Sequence, residues 1–356
     1  MAKIILTGGG TAGHVTPNIA LIPELKKENF DIFYIGTKAG IERKLIEDIQ
    51  IKYFPITAGK LRRYFDLENF IDVGRILKGF GQSLKIIRKI KPDIIFSKGG
   101  FVSTPVVWAA RLCKVPIVIH ESDITPGLAN KLSIPFADKV CYAFPETGKF
   151  IQEKKACMTG IPIRKELFNG NTNLGMKMCG FMPGKPILLV MGGSQGSKFI
   201  NDTVREGLKE LLTVFQVCHI CGKGAIDNNL HGMKGYKQFE YVTREQPHLF
   251  AMSDVVVSRA GATTLFELLA LKKPNLIIPL SKRASRGDQI LNAKSFEEQG
   301  FSYVLQEEDM CLASLLENVI KIYKDRRTII NKMKTSDMSN STTKVISVIM
   351  DLMNSV

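Results

Sequence analysis

In the stretch Ile4-Ile-Leu-Thr-Gly-Gly-Gly-Thr-Ala-Gly-His14, a short apolar run passes directly into a glycine-rich turn. The same pattern returns near the middle of the chain as Ile187-Leu-Leu-Val-Met-Gly-Gly193. Each copy predicts the first strand of an α/β sheet, followed by a tight turn and a helix. The sequence therefore predicts two successive α/β sheets.

Short β-branched runs alternate with amphipathic stretches, which is typical of parallel strands joined by helices. The predicted strands are 3–7, 31–35, 93–97, 116–120 and 139–142, then 187–191, 215–220, 239–242, 254–258, 275–279 and 301–305. The length of 356 residues also fits two domains. We place them at 1–162 and 163–339, with a polar separator at 169–186 and a last helix at about 340–356 that can pack back onto the first domain.

Composition limits the class of protein and the kind of partner. The chain carries 49 Lys and Arg against 34 Asp and Glu, a formal charge of +15, which favours a negatively charged partner or surface. Seven scattered cysteines make a poor disulfide framework and suit a reducing compartment. No apolar run approaches the ~18 residues of a membrane-spanning helix, and the amino terminus does not resemble a signal peptide. Any membrane contact is expected to be peripheral.

Several common readings of such a chain lose support. The pattern of Gly8, Gly10 and Gly13 matches a dinucleotide loop, but the second strand ends in Thr37 and Lys38 without the carboxylate that a ribose needs there. No Gly-Lys-Ser/Thr follows the second glycine loop, which disfavours ATP hydrolysis. Cys218-His-Ile-Cys221 has no second pair for zinc, and no nucleic-acid motif is present.

The stretch Ser258-Arg-Ala-Gly-Ala-Thr-Thr264 predicts a strand end, a sharp turn and a helix start. Free N–H groups at such a helix start can bind a diphosphate. Glu267 follows one turn later, where a carboxylate can accept hydrogen bonds from both ribose hydroxyls, unless it lies on a solvated helix face. His14 is a candidate general base, with helix capping as the alternative.

Taken together, these stretches resemble the MurG family, the peripheral-membrane N-acetylglucosaminyltransferases of bacterial peptidoglycan synthesis. The resemblance runs in order over almost the whole chain. Its motifs are Thr7-Gly-Gly-Gly-Thr-Ala-Gly-His14, His120-Glu121, Gly160-Ile-Pro-Ile-Arg164, Gly192-Gly-Ser-Gln-Gly196, Ser258-Arg-Ala-Gly-Ala-Thr-Thr264 with Glu267, and Asp288-Gln289 with Asn292-Ala293.

The resemblance implies a GT-B fold, in which two Rossmann-like domains with parallel sheets face a central cleft. It implies inverting transfer of N-acetylglucosamine from UDP-N-acetylglucosamine to the C4 hydroxyl of N-acetylmuramoyl in lipid I, forming lipid II. The first domain would hold the acceptor and the second the donor. No cofactor or metal is expected, and cell shape, cell division and the cell cycle would depend on the product.

The family motifs also imply roles for individual residues. His14 is the favoured catalytic base. The implied donor contacts are Thr11, Ala12, Gly13, Arg164, Ser194, Ala262, Thr263, Thr264, Leu265, Glu267 and Gln289. The acceptor or sugar contacts are Glu121, Asp123, Asn130 and Asn292. Asp123 stands where many relatives have Asn, and an ionised carboxylate cannot donate a hydrogen bond. The uracil-contacting loop is expected near Val242 and Thr243.

A basic, amphipathic segment predicts the membrane contact. Residues 59–92 hold nine basic against three acidic side chains, and apolar residues recur within them at helical spacing. Such a surface suits an anionic leaflet at the cytoplasmic face of the plasma membrane. Most of the apolar residues are expected in the core, with Leu77 and Phe80 facing lipid beside Lys78 and Lys85. Trp108 could join this surface or fill the core.

Two other functions remain open from the residues. Another membrane-associated GT-B transferase, such as a diacylglycerol glycosyltransferase, would keep the nucleotide helix and change the acceptor loops. A non-catalytic sugar-nucleotide-binding subunit would keep the fold, although a base such as His14 beside the acceptor favours an enzyme.

Overall fold

The computed structural model describes residues 1–59, 68–193, 196–281 and 287–355. The chain divides into two compact units, one of Met1–Arg164 with Asn340–Val356 and one of Lys165–Ser339. Each unit is an α/β domain built around a parallel sheet. Elements are numbered along the chain below.

Seven parallel strands form the sheet of the first unit within its described residues, in the order β3-β2-β1-β4-β5-β6-β7. They are β1 Lys3–Thr7, β2 Asp31–Thr37, β3 Lys52–Ile56, β4 Ile94–Ser97, β5 Ile117–Glu121, β6 Lys139–Tyr142 and β7 Ala156–Met158. Its helices are α1 Ala12–Lys27, α2 Ile41–Glu47, α3 Glu68–Ile90, α4 Ser103–Leu112, α5 Leu128–Ser133 and, from the end of the chain, α13 Ser341–Asn354.

The first sheet is buried on both faces. Ile4 and Leu6 of β1 lie in one apolar cluster, which Val345 of α13 completes. Ile5 points to the opposite face and joins a second cluster with Val106 of α4. Successive residues of a strand face opposite sides, so a sheet covered by helices on both sides requires an uninterrupted apolar run. This explains the sequence Ile-Ile-Leu in the central strand.

The second unit has a similar plan with six parallel strands among its described residues, in the order β10-β9-β8-β11-β12-β13. They are β8 Ile187–Met191, β9 Gln216–Ile220, β10 Tyr236–Phe239, β11 Val255–Ser258, β12 Asn275–Ile277 and β13 Tyr303–Val304. The helices are α6 Thr172–Cys179, α7 Lys198–Glu206, α8 Leu208–Val214, α9 Gln246–Met252, α10 Ala262–Ala270, α11 Asp288–Glu298 and α12 Leu312–Lys334.

The predicted bounds of β1, β6 and β8 are confirmed, whereas two strands were not predicted and one prediction is displaced. β3 was not predicted, because Pro55 interrupts its apolar pattern; proline is tolerated here since β3 is an edge strand. β7 was also missed, being only three residues long. β10 lies three residues earlier than predicted, and the predicted range 239–242 overlaps it only at Phe239.

The region 169–186, expected as a polar separator, contains the helix α6. Asn171 caps its first turn by accepting a hydrogen bond from the Leu174 N–H at 2.9 Å. Gly180 ends it with a left-handed φ of 67°, the usual glycine helix stop. A capping asparagine and a terminal glycine were therefore helix signals inside a segment whose composition favoured a loop.

Each sheet reverses its strand order beside its first strand. In the first unit Thr7 of β1 is in register with Ser97 of β4, and in the second Met191 of β8 is in register with Ser258 of β11. Ligands of open α/β sheets bind at the carboxyl ends of strands where the order reverses. The loops that follow these four strands are therefore the candidate site-forming loops of the two units.

Candidate active site

A buried tyrosine, Tyr34, forms a hydrogen bond with the first residue of the glycine loop that follows β1. The Tyr34 hydroxyl donates to the Gly8 carbonyl at 2.7 Å, and Asn18 of α1 donates to Tyr34 at 3.1 Å. Burial raises the pKa of Tyr34, so this hydroxyl keeps its proton and remains a donor. The loop is thus fixed at its first residue.

A buried carboxylate fixes the other end of the same loop. Glu42 of α2 is fully buried and accepts hydrogen bonds from the Gly10 N–H at 3.3 Å and the Thr37 N–H at 3.0 Å. Gly10 has a φ of 88°, which favours glycine, and a Cβ there would lie 2.7 Å from the Phe101 ring. A dinucleotide-binding loop would be accompanied by a carboxylate at the end of β2. Here the nearby carboxylate is Glu42 on α2, and it accepts hydrogen bonds from backbone N–H groups instead of remaining available to a ribose.

His14 lies in the first turn of α1 with its Nδ1 turned back to the loop. Nδ1 is 3.2 Å from the Gly9 carbonyl oxygen and 3.1 Å from the Thr11 hydroxyl. A carbonyl can only accept, so the bond to Gly9 requires a proton on Nδ1 and leaves Nε2 with the lone pair. Burial lowers the pKa of His14 to about 4, assisted by the charge of Lys98 and opposed by the Gly9 bond. At neutral pH His14 is a neutral imidazole with a free lone pair, the form that a general base requires.

The other residues predicted in this motif lie at the start of α1. Thr11 is the residue before the helix, and its side chain does not cap it, since the hydroxyl instead contacts His14. Ala12 and Gly13 are the first two helical residues and are partly buried. His14 thus contacts the backbone of its own loop, and its role as the catalytic base stays a prediction.

Glu121, at the end of β5, organises the loop that follows it. One carboxylate oxygen accepts from the N–H groups of Ser122 at 2.8 Å and Asp123 at 3.0 Å. The other accepts from the Gly127 N–H at 3.0 Å and the Asn130 amide at 2.8 Å. Since a carboxylate has about four acceptor positions, these bonds occupy it. Glu121 and Asn130 are better suited to shaping this loop than to binding a sugar.

His120 connects β5 to the end of the first unit. Its Nε2 lies 2.7 Å from the carbonyl oxygen of Gly160, which begins the predicted motif 160–164. Burial and the Lys98 charge lower the pKa of His120 well below its usual value. Arg164 ends this motif and the first of the two segments of the first unit, and its side chain is partly buried.

In the second unit, α10 begins directly after the turn that follows β11. Gly261 precedes the helix without a side-chain cap, and its first closed backbone bond runs from Leu265 N to Gly261 O at 3.0 Å. The N–H groups of Ala262, Thr263 and Thr264 thus come before that bond, as expected at a helix start that can bind an anion. The Leu265 side chain is buried in the core, so only its backbone could contact a ligand.

Glu267, predicted as a ribose contact, is only 5% exposed, so the alternative of a solvated helix face is wrong. Asn292 is also buried and donates to the Ala260 carbonyl at 3.4 Å, beside the same turn. Gln289, in the first turn of α11, accepts from the Leu280 N–H at 3.2 Å. The structure thus places Asn292 and Gln289 against the loops that follow β11 and β12.

Three predicted residues add little to this picture. Ser194 lies outside the described residues, so the glycine loop after β8 is described only to Gly193 and again from Gly196. Val242 and Thr243 follow β10, and the Thr243 N–H donates to the Glu245 side chain at 3.0 Å.

Arg259 lies at the carboxyl-terminal edge of the second sheet and was not assigned a role from the sequence. It is 7% exposed and donates to the Ser197 hydroxyl at 2.7 Å and to Glu307 at 2.9 Å. Its other terminal nitrogen donates to the carbonyls of Ile278 and Pro279 at 3.2 and 3.3 Å. One guanidinium therefore joins the loops after β8, β11, β12 and β13. The sequence shows Arg259 between Ser258 and Gly261, but it does not show that the guanidinium is buried and donates hydrogen bonds to several loops.

The Cys218-His-Ile-Cys221 motif is a buried part of the second sheet. Cys218 packs against Cys179 with their sulfurs 3.9 Å apart. His219 bridges the Tyr236 hydroxyl at 2.9 Å and the Asn201 side chain at 3.0 Å, and burial lowers its pKa to about 3. Within the described parts of the chain, no group of three His, Cys, Asp or Glu side chains is placed to hold a metal ion.

Among the side chains of helix α3 that the structure describes, Val73 at 48% and Leu77 at 64% are exposed apolar residues, and Lys78 and Lys85 are also exposed. Phe80 is partly buried against the core cluster on the β-sheet face that α4 covers. Trp108 is partly buried too and donates to the Leu132 carbonyl at 3.2 Å. Three of the basic residues of the predicted cluster, Lys60, Arg62 and Arg63, lie outside the described residues.

Of the helices in the part of the chain that the structure describes, none combines the length and the apolar character needed to span a bilayer.

Comparison with known proteins identifies two family domains along the chain. The profile of the glycosyltransferase family 28 N-terminal domain matches residues 4–142, and that of the family 28 C-terminal domain matches residues 187–349.

Curated relatives match almost the entire chain. The UDP-N-acetylglucosamine--N-acetylmuramyl-(pentapeptide) pyrophosphoryl-undecaprenol N-acetylglucosamine transferase of Clostridium kluyveri is 57% identical over 98% of this chain and 99% of its own length. The enzyme of the same name from Clostridium botulinum strain Langeland is 58% identical with the same coverage.

Among solved structures, MurG of Acinetobacter baumannii superposes with a TM-score of 0.77 at 23% identity, covering 99% of this chain and 100% of the other. The glycosyltransferase of kitacinnamycin gives a TM-score of 0.76 at 13% identity, covering 99% of each chain. At these identities the likeness concerns the fold, which is GT-B.

Proposed function

Because the chain belongs to the MurG family of glycosyltransferases, we propose that it transfers N-acetylglucosamine from UDP-N-acetylglucosamine to lipid I, undecaprenyl-pyrophosphoryl-N-acetylmuramoyl-pentapeptide. The product is lipid II, so the enzyme serves peptidoglycan synthesis and cell wall biogenesis. The observation that carries this proposal is the identity of 57–58% over 98% of the chain to transferases with that named activity.

On the acceptor side, His14 is the base. The C4 hydroxyl oxygen of the N-acetylmuramoyl sugar bonds to C1 of the donor sugar while its proton moves to Nε2 of His14. The C1–O bond to the β-phosphate breaks, and its electron pair leaves with UDP. Attack opposite to the departing diphosphate inverts the anomeric carbon. The Nδ1 contact with Gly9 supports this role, because it leaves Nε2 as the accepting nitrogen.

On the donor side, the start of α10 receives the diphosphate. The N–H groups of Ala262, Thr263 and Thr264 and the positive end of the helix dipole stabilise the charge that develops on UDP. Arg164 and Ser194 are assigned to the same diphosphate by their motifs. This arrangement gives the leaving group a positive field from the protein itself, so we propose transfer without a metal.

The rest of the donor is held by contacts around α10. Glu267 accepts from the two ribose hydroxyls, and its place on α10, shortly after the N–H groups assigned to the diphosphate, supports this assignment. Gln289 binds the sugar, with Asn292 beside the turn at Ala260. Thr11, Ala12 and Gly13 complete the donor contacts, and Val242 or Thr243 contacts the uracil.

We also place the enzyme at the cytoplasmic face of the plasma membrane, on anionic lipid. Val73 and Leu77 supply apolar surface on α3, and Lys78 and Lys85 supply positive charge. Each basic residue near an anionic surface contributes about 1 kcal/mol. Phe80 contributes less than predicted from the sequence, since it packs partly into the core.

The test is transfer of radiolabelled sugar from UDP-N-acetylglucosamine or UDP-glucose to a lipid I analogue or diacylglycerol, each with and without a chelator. We expect product only with UDP-N-acetylglucosamine and the lipid I analogue, unchanged by the chelator. Product from UDP-glucose and diacylglycerol alone would show a different transferase. Loss of turnover with the chelator would contradict the metal-free mechanism, and binding of donor without any transfer would indicate a non-catalytic subunit.

A further inference from the structure

The residue directly after β4 is a buried lysine to which the proposed mechanism gives no task. Lys98 is 1% exposed, although lysine is among the residues least often buried. Its backbone N–H donates to the Thr7 carbonyl at 2.8 Å, and its ammonium group donates to the Ser122 hydroxyl. Lys98 therefore crosses from the end of β1 to the loop after β5, beneath the glycine loop that carries His14.

The turn after Lys98 supports the carbonyl that orients His14. Gly99 and Gly100 have φ values of 91° and 84°, which favour glycine. A Cβ on Gly100 would lie 2.3 Å from the Gly9 carbonyl oxygen, so the two loops touch only because Gly100 lacks one. That oxygen is the one 3.2 Å from His14 Nδ1. The position of the β4 loop thus determines where the acceptor for His14 lies.

The ammonium group also sets the electrostatic environment of the loop. Burial lowers the pKa of Lys98 to about 8, while the carboxylates of Glu121 and Asp123 favour its charged form, so it remains mostly protonated at pH 7. Glu42 faces the same glycine loop from α2 through the Gly10 N–H. A Cβ on Gly8 would lie 2.7 Å from the His14 carbonyl oxygen and 3.1 Å from Lys98 Cβ, so both residues approach the same point of the glycine loop. A proton on His14 would therefore add a second positive charge near Lys98, with little water to screen it.

Resting on the proposed function, we propose that Lys98 is a positioning residue for the transfer, which acts through His14. The buried ammonium and the Gly99-Gly100 turn together hold His14 as a neutral imidazole with its proton on Nδ1. The acceptor hydroxyl then always meets a lone pair at Nε2. Without Lys98, a fraction of the enzyme at mildly acidic pH would carry a protonated, inactive His14.

The test is a nitrogen NMR titration of the imidazole side chains in the substrate-free, full-length protein. The chain has 5 histidines, so the His14 signals can be assigned by comparison with His14→Gln. At pH 7 we expect the neutral tautomer with the proton on Nδ1. A proton on Nε2, or a protonated ring, would overturn the proposal before any variant is made. Because no substrate is present, this result is independent of whether lipid I is the acceptor.

Two variants separate the charge of Lys98 from its packing. In Lys98→Met the pKa of His14 should rise by about one unit, since a single nearby charge moves a pKa by about one to three units. In Ser122→Ala the ammonium loses its hydroxyl partner but keeps its charge, so His14 should titrate as in the wild type. Lys44→Met removes an exposed lysine of the same unit and is the control for net charge.

The acidic limb of kcat/KM provides the functional readout. It should move to higher pH in Lys98→Met, in parallel with the NMR titration, and stay in place in Lys44→Met. An unchanged His14 titration in folded Lys98→Met would refute the proposal, as would an equal shift in both lysine variants. If Lys98→Met does not fold, the wild-type tautomer and the Ser122→Ala titration still test the proposal. A shift of the His14 pKa in Ser122→Ala would assign the effect to packing instead of charge.

Discussion

Buried charged and polar side chains hold the candidate site loops at the level of single residues. Glu42 and Glu121 in the first unit and Arg259 in the second each join backbone groups or side chains from several loops. A buried charge is costly unless its hydrogen bonds are satisfied, so each of these groups accepts or donates several. The loops are therefore set before any substrate binds, which favours catalysis by preorganised dipoles.

Glu267→Gln tests the donor assignment. The amide keeps the size of the side chain but removes the charge that accepts from two ribose hydroxyls. A hydrogen bond to a charged group contributes about 1.5–3 kcal/mol, so KM for UDP-N-acetylglucosamine should rise by roughly ten- to a hundredfold. Steady-state kinetics measure this, with the exposed Glu297→Gln as control. An unchanged KM would remove Glu267 from the ribose site.

Arg259→Met tests the loop junction of the second unit. The substitution leaves Glu307, whose side chain is 18% exposed, without its cationic partner. Breaking a buried pair costs about 3–5 kcal/mol, and partial exposure of Glu307 favours the lower end. Lys198→Met removes a surface ion pair with Asp202 and should cost less than about 1 kcal/mol. Equal losses in urea unfolding would contradict the special role of Arg259.

Among the secondary-structure elements, those with a clear apolar periodicity were predicted correctly from the sequence. Elements that depend on contacts with distant parts of the chain were missed. Buried central strands such as β1 and β8 appear as unbroken apolar runs, so their bounds were correct. The edge strand β3 is not encoded by its own pattern, since Pro55 argues against a strand unless the neighbouring β2 is known. The glycine loops were predicted from composition. Lys98 and Arg259 were not assigned a role, because residue type alone does not show which lysine or arginine is buried.

Helix α3 gives a prediction at this scale. Leu77→Glu should weaken binding to vesicles of anionic lipid, because it replaces apolar surface with a negative charge near Lys78. Burial of a leucine side chain is worth about 1.5–3 kcal/mol, which corresponds to roughly a tenfold or greater loss of binding in a sedimentation assay. Ile41→Glu, at an exposed apolar residue of α2, should have little effect. Equal losses of vesicle binding in both variants would show that α3 carries no specific membrane-binding surface.

At the scale of the whole molecule, the formal charge of +15 has a partial structural explanation. Lys98 and Arg259 are buried and support loops, whereas Lys78 and Lys85 are exposed on α3. Net charge alone left nucleic acid, lipid and phosphorylated ligands open. Only the positions of the charges, together with the family, favour a membrane surface and a diphosphate.

The stability of the protein should fall in mild acid. His14 and His219 have pKa values of about 4 and about 3 in the folded protein, and that of His120 is also lowered. In the unfolded chain they titrate near 6.5, so the unfolded state binds more protons between about pH 6.5 and 4. Each histidine then lowers stability by up to about 1.4 kcal/mol per pH unit. The raised pKa of Glu121 acts in the opposite direction and offsets part of this loss.

Urea-unfolding midpoints between pH 7 and 4.5 measure this dependence. His219→Gln should reduce it, whereas the exposed His231→Gln should not. A midpoint that stays constant or rises as the pH falls would show that the buried imidazoles do not dominate.

Inverting displacement on lipid I, with His14 as base, determines both the anomer and the position of the new linkage. The most direct measurement is the NMR structure of the disaccharide made from carbon-13-labelled UDP-N-acetylglucosamine and a lipid I analogue. We expect a β linkage to C4 of the N-acetylmuramoyl sugar, formed by the wild type and lost in His14→Ala. An α linkage, attachment at another oxygen or full activity of His14→Ala would contradict it.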